Sequence, residues 1–185
     1  MARSKRLSDE QVLDAARLAI LARGSHDFSL ADLGRAVGLS PSTLIQRFRD
    51  KSALVKAILA RDNARFAAAL RAAPERTGPA AVIAIFMLLT GEPATPDSLP
   101  GEAFWQGLDL SDPDLRRLVL DRSSMLRTAV ASRLPPLPLD AGEAAALAEA
   151  QWRGALMQWR LQPRGRLVDH VTAALADWFA LVLRR

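Results

Sequence analysis

Residues 29–51, SLADLGRAVGLSPSTLIQRFRDK, constrain this chain more than any other stretch. They read as two short helices joined by a tight turn. Ser29 is placed to cap the first, because its hydroxyl can accept a bond from an unpaired amide of the opening turn. Leu30, Leu33 and Val37 recur at helical spacing and give that helix one apolar face. Gly38 stops it, since glycine tolerates the left-handed conformation beyond a helix end. Ser40 caps the second helix, and Pro41 suits its first turn, where no amide donor is needed. Leu44 and Phe48 then face the core, four residues apart, and leave Ser42, Thr43, Ile45, Gln46, Arg47 and Arg49 on other faces. A short polar helix presented by another short helix is the helix-turn-helix arrangement, whose second helix can enter the major groove of DNA. Any helical hairpin with a glycine turn has a similar pattern, so the surroundings have to decide between the two.

The surroundings are basic. Net charge is +5 and the sequence pI is about 10.8. Arg3, Lys5 and Arg6 cluster before the first helix, and Arg47, Arg49 and Lys51 cluster at the end of the second short one. Such clusters also occur as solvated faces, but two of them flanking one helix-turn-helix suit a polyanion. The rest of the chain is compatible with an all-α protein: half of it is hydrophobic, alanine and leucine are abundant, and β-branched runs are short. There is no cysteine, which excludes disulfides and thiolate metal sites. No apolar signal-peptide core follows the N-terminus, and the longest apolar run, Val82 to Leu89, falls short of the roughly 20 residues a bilayer span needs. The expectation is a cytoplasmic protein with no membrane partner.

A first helix is expected over about Asp9 to Arg23, with Ser8 and Gln11 as a capping box and Gly24 as its stop. Phe28 is placed to plug the core beneath the next two helices. A longer helix follows from about Lys51 to Ala72, then helices from about Pro79 to Leu89, a short one around Leu99 to Leu108, one opened by Asp112 and Pro113 and running to Leu134, one opened by Asp140 and Glu143 and ending near Leu161, and a last one from Leu167 to Leu183. That makes about nine helices in all.

The last two carry broad stripes in which alanines alternate with large residues. Trp152, Ala155 and Trp159 lie on one, and Val171, Leu175 and Trp178 on the other. Such a pair either meets its copy in a second chain as a four-helix interface or closes the core of its own chain. Phe86, Met87, Phe104, Trp105, Met125 and Trp152 either line an apolar pocket or pack as ordinary core. Arg122 lies beside the apolar stripe of its helix, where it binds an anionic ligand, pairs with an acid, or meets solvent.

Catalysis finds little footing. The two histidines, His26 and His170, stand in no metal-ligand spacing, and neither a Gly-x-Ser-x-Gly elbow nor a phosphate-binding glycine loop occurs. No enzyme activity, cofactor or metal is expected. A helical adaptor that binds protein through a Trp-rich C-terminal face stays open beside the DNA-binding reading.

The first 60 or so residues resemble the TetR family of bacterial transcriptional regulators. The resemblance rests on the helix ending at Gly24, Ser29-Leu30-x-x-Leu33, the run Val37-Gly38-Leu39-Ser40-Pro41-Ser42-Thr43-Leu44, Phe48, and Lys51-x-x-Leu54. It implies a helix-turn-helix DNA-binding domain over residues 1–50 and a helical effector-binding and dimerisation domain over residues 51–185. It also implies a homodimer on a palindromic DNA operator, most often as a repressor, and a small-molecule effector whose binding alters the separation of the two heads. Ser42, Thr43, Gln46 and Arg47 fall at positions that face DNA in that family, and Lys51 at a phosphate contact. By residue type Arg47 suits guanine and Gln46 adenine, Ile45 suits a thymine methyl, and Ser29, Thr43 and Lys51 suit phosphates. The chain departs from the family at four positions. Ile45 and Arg47 stand where aromatics or histidine are usual, Ser25 stands where an aromatic is frequent, and Gly34 replaces a usual alanine, which weakens that helix by about 1 kcal/mol.

Overall fold

A computed structural model describes residues 7–23, 29–91, 108 and 111–183. Within them the chain forms eight helices and no strand. These are α1 (Asp9–Arg23), α2 (Leu30–Val37), α3 (Pro41–Phe48), α4 (Lys51–Ala72), α5 (Pro79–Thr90), α6 (Pro113–Ala131), α7 (Ala141–Leu161) and α8 (Leu167–Val182). The basic residues Arg3, Lys5 and Arg6, the connector with Gly24, Ser25, His26 and Phe28, and the short helix expected around Leu99 to Leu108, apart from Leu108 itself, lie outside the described residues.

Local chemistry sets most helix starts. Ser8 and Gln11 exchange backbone–side-chain bonds of 2.9 and 3.2 Å ahead of α1. Asp50 accepts from the Ala53 amide at 2.7 Å and opens α4. Asp112 accepts from the amides of Asp114 and Leu115, with Pro113 at the first position of α6. Asp140 opens α7 by accepting from Gly142 and Glu143 amides, so the expected capping box is present as its forward half. Helix α6 ends at Ala131, three residues short of the sequence expectation. Arg133 and Leu134 still bond back to Val130, but the prolines at 135, 136 and 138 leave no amides to continue the ladder.

Two clusters of buried side chains form. The first joins Val12, Ala16 and Ile20 of α1 to Leu33, Leu44 and Phe48, and then to Leu54, Val55, Ile58 and Leu59 of α4 and Leu115 of α6. The second collects Phe66 of α4, Val82, Ile85 and Phe86 of α5, Leu126 and Val130 of α6, and the inner faces of α7 and α8. Helix α4 belongs to both. Ion pairs add to the first joint: Arg65 and Arg61 of α4 reach Asp14 of α1 at 3.1 and 3.0 Å, and Arg17 reaches Asp62 at 2.8 Å. Lys56 holds Asp112 and Asp114 at 2.8 and 3.1 Å, pinning the start of α6 to α4.

Candidate nucleic-acid interface

Helix α3 is positioned from both ends. Ser29 and Asp32 form a reciprocal capping box on α2, each accepting from the other's amide at 3.1 Å. Gly38 then takes φ +68°, ψ +28°, the left-handed conformation that turns the chain toward α3. Its amide and that of Leu39 both bond back to the Gly34 carbonyl. Gly34 proves to be more than a weak spot in α2. A Cβ there would lie 2.6 Å from the Leu39 carbonyl oxygen, so the glycine lets the turn close tightly over the helix. Ser40 caps α3 through the Thr43 amide at 3.1 Å, and its hydroxyl lies 2.8 Å from those of both Ser42 and Thr43. Three hydroxyls therefore gather at the positive end of a helix dipole, a setting that suits an anionic oxygen.

The faces of α3 divide as the spacing predicts. Leu44 and Phe48 are buried against α1, α2 and α4, while Ser42, Ile45, Gln46 and Arg47 are exposed and Thr43 is half-buried. Ile45 is 52% exposed, an apolar side chain held out on a polar surface. The Gln46 side chain makes no hydrogen bond among the described residues, so its amide group has both donor and acceptor to offer. Lys51 sits half-buried in the first turn of α4.

Arg47 is placed differently from its sequence reading. Its guanidinium donates to the Leu7 carbonyl at 2.8 Å and pairs with Asp9 at 2.7 Å, which straps the end of α3 to the start of α1. A partner 38 positions away leaves no trace in local spacing. Just beyond, Arg49 has φ +67°, ψ −60°, and the Asp50 amide bonds to the Phe48 carbonyl at 2.8 Å. This is a γ-turn of the rare, strained hand. It brings Arg49 to within 3.1 Å of Asp50. The Ala53 amide, and then Arg49, hold the Asp50 carboxyl below the ordinary aspartate range, so this cap stays charged.

The residues expected to line a pocket or a dimer face are mostly interior. Phe86 and Trp152 are fully buried and stack at 5.4 Å, and the Trp152 indole donates to the Thr90 hydroxyl at 3.0 Å. Met87 and Met125 are half-buried against the same cluster. Phe104 and Trp105 lie outside the described residues. Arg122 is buried over the Phe66 ring, with its guanidinium 5.0 Å from the ring centroid and bonded to Asn63. It lines a cavity of about 430 Å³ together with Asp14, Arg17, Phe66 and Leu88. Ala155, Trp159, Val171 and Leu175 are buried within their own chain, and Trp178 is half-buried edge-on to Phe179. The apolar stripes of α7 and α8 are thus filled by each other and by α5 and α6. What α7 turns outward is Leu147, Gly154, Met157 and Leu161.

Comparison with known proteins agrees with this geometry. Residues 12–58, from α1 into α4, match the family model of bacterial regulatory proteins of the tetR family. No curated protein sequence matches the chain. Solved structures resemble it over nearly its whole length. A transcriptional regulator from Rhodococcus sp. Rha1 superposes with a TM-score of 0.80 at 20% identity, over 96% of this chain and 97% of that one. A regulator from Saccharomonospora viridis, solved in complex with choline, gives 0.76 at 21% identity over 93% and 95%. SmeT, the repressor of the Stenotrophomonas maltophilia multidrug efflux pump SmeDEF, gives 0.66 at 21% over 95% and 90%. At such identities the superpositions speak for the fold, and the match over 12–58 speaks for the head. The head of this chain thus matches the tetR-family model, with the capped α2–turn–α3 unit at its centre, and the whole chain has the fold of these regulators.

Proposed function

We propose that the protein is a ligand-responsive repressor that binds a palindromic operator as a homodimer in the cytoplasm. The observation that carries this reading is the exposed face of α3, with Ser42, Ile45 and Gln46 outward on a helix whose other side is locked into the head. Gln46 offers a bidentate match to adenine N6 and N7, and Ile45 an apolar contact to a thymine methyl. Ser29, Ser42, Thr43 and Lys51 serve the phosphates, which fix register without reading sequence. Arg47 acts first as the strap to Asp9 and Leu7, and reaches a guanine or a phosphate only by leaving them.

The DNA-binding unit is residues 1–50 and the effector and dimer unit residues 51–185, with α4 as their common beam. The dimer forms on the outward faces of α7 and α8, since their inner faces are occupied. The repressor named above for an efflux pump and the choline-bound regulator share the fold, which supports repression and small-molecule control as the mode of action. An effector acts by preferring the head spacing that fits DNA poorly, and lowers operator affinity by that preference. The adaptor reading loses its face, because Trp152 and Trp159 are interior.

Selecting genomic fragments that the protein retains, then titrating the best fragment against salt, tests the proposal. A palindromic site whose affinity falls steeply with salt is expected. Retention of no fragment above random DNA would overturn it.

A further inference from the structure

A second cleft lies at the far end of the molecule from α3. It runs between the last turns of α4 and the first turns of α5, and has a volume of about 590 Å³, within the range of small-molecule sites. Its walls are alanines, Ala69, Ala72 and Ala73 from α4 and its end and Ala80, Ala81 and Ala84 from α5, with Ile85 and Leu88. Its polar lining is Thr77 with two arginines, Arg76 and Arg133, and includes no carboxylate.

Arg133 is the unusual member. Only 9% of it is exposed. Its Nη1 donates to the Ala129 carbonyl at 3.1 Å and to the Ser132 hydroxyl at 3.2 Å, both neutral acceptors. It forms no ion pair among the described residues. The nearest acid on the neighbouring recess, Glu75, is exposed and pairs with neither arginine. The Gly78 amide donates to the Arg133 carbonyl at 2.8 Å, which fixes this residue against the α4–α5 turn. A buried cation held by neutral oxygens carries a desolvation cost that an anion would offset.

Resting on the ligand-responsive reading above, we propose that this cleft is the effector site and that its ligand is a small amphipathic monocarboxylate. The carboxylate meets the guanidinium of Arg133, with Arg76 beside it, as a planar fork suits. The apolar part lies along the alanine walls, which are smooth and wide enough for a chain or a ring. Ala69 and Leu88 line both this cleft and the 430 Å³ cavity that reaches Asp14, Arg17 and Leu18 of α1. An occupant therefore presses on the last turns of α4, the helix that both cores share, and through it on the head.

The test uses the full chain without DNA, so its outcome stands apart from operator binding. Hexanoate, octanoate and decanoate are titrated calorimetrically beside the primary alcohols and amines of equal length. The carboxylates are expected to bind at least ten-fold more tightly than either control. Arg133→Gln is expected to erase that preference, and Ala84→Trp, at a position exposed to the cleft, to abolish binding while the protein stays folded. Equal affinity for alcohol and carboxylate overturns the proposal. So does carboxylate affinity untouched by both substitutions, or no binding below about 1 mM. If Ala84→Trp changes the oligomeric state instead, the cleft is a contact between copies and the proposal also falls.

Discussion

At the scale of single residues, the proposed function asks α3 to separate reading from holding. Gln46 is exposed and unengaged, whereas Arg47 is bound to Asp9 and the Leu7 carbonyl. Gln46→Ala is therefore expected to cost about 1–3 kcal/mol of operator affinity and to relax preference at one base pair per half-site. Arg47→Ala is expected to weaken all sites and also to lower the melting temperature, because the strap to α1 goes with it. Fluorescence titrations on single-base operator variants, with thermal melts beside them, distinguish the two. A second residue governs acid stability. Glu149 is buried, and burial alone would raise its pKa. Arg127 at 2.5 Å, Arg153 at 2.8 Å and the Ser123 hydroxyl outweigh it, leaving the carboxyl below the ordinary glutamate value. A depressed pKa contributes stability above the unfolded value near 4.5, and that contribution is lost as pH falls through the folded value. Glu149→Gln is expected to lower stability at pH 7 by about 2–4 kcal/mol, less than for a fully buried pair because Arg127 is half exposed. The gap from wild type should narrow as pH drops below 4.5 in urea titrations. Of these pairings only Glu149–Arg153, four residues apart on one helix, is of a kind that spacing reveals. Arg47 and Asp9, or Glu149 and Arg127, are distant in the chain and share no periodicity.

At the scale of elements, legibility was high because helix ends are local chemistry. Ser8, Ser29, Ser40, Asp50, Asp112 and Asp140 each cap the helix that follows within three residues, and Pro41, Pro79 and Pro113 sit where no amide is needed. Ser40→Ala is expected to destabilise the protein by about 1 kcal/mol and to weaken DNA binding on all sequences alike, since α3 loses its first anchor. Arg49 works in the opposite sense. Its left-handed γ-turn costs a non-glycine residue about 1–3 kcal/mol. Arg49→Gly should relieve it, offset in part by the entropy glycine adds to the unfolded chain, for a net gain of about 1 kcal/mol. Chemical denaturation reads both effects, and a loss of stability in Arg49→Gly would show that the turn is not strained. Local chemistry did not reveal which way a two-sided helix faces. Ala155, Val171 and Leu175 have the same stripe whether they meet their own core or a copy.

At the scale of the whole molecule, α4 carries the account. Its first half belongs to the head cluster, and Phe66 belongs to the body cluster. Ion pairs from Arg61 and Arg65 hold α1 to it, and Lys56 holds the start of α6. On the proposed reading, α4 is the element through which a change at one end reaches the other. The proposed pairing of two chains on the outward side of α7 makes a specific demand. A Cβ at Gly154 meets no atom within 4 Å of its own chain, so Gly154→Arg leaves the monomer core intact. Sedimentation velocity is expected to show monomers for that variant and dimers for wild type. Dimers in both would move the interface elsewhere. The central claim is that α3 enters a duplex twice, once from each copy, and the absence of cysteine makes it directly measurable. Ser42→Cys carries a single iron-chelate label at the exposed start of α3. On a retained genomic fragment, two clusters of strand cleavage are expected, related by a two-fold axis and about 34–36 Å apart or a multiple of it. Uniform cleavage, or cleavage matched by a label at Leu161→Cys on the far helix α7, would contradict the account.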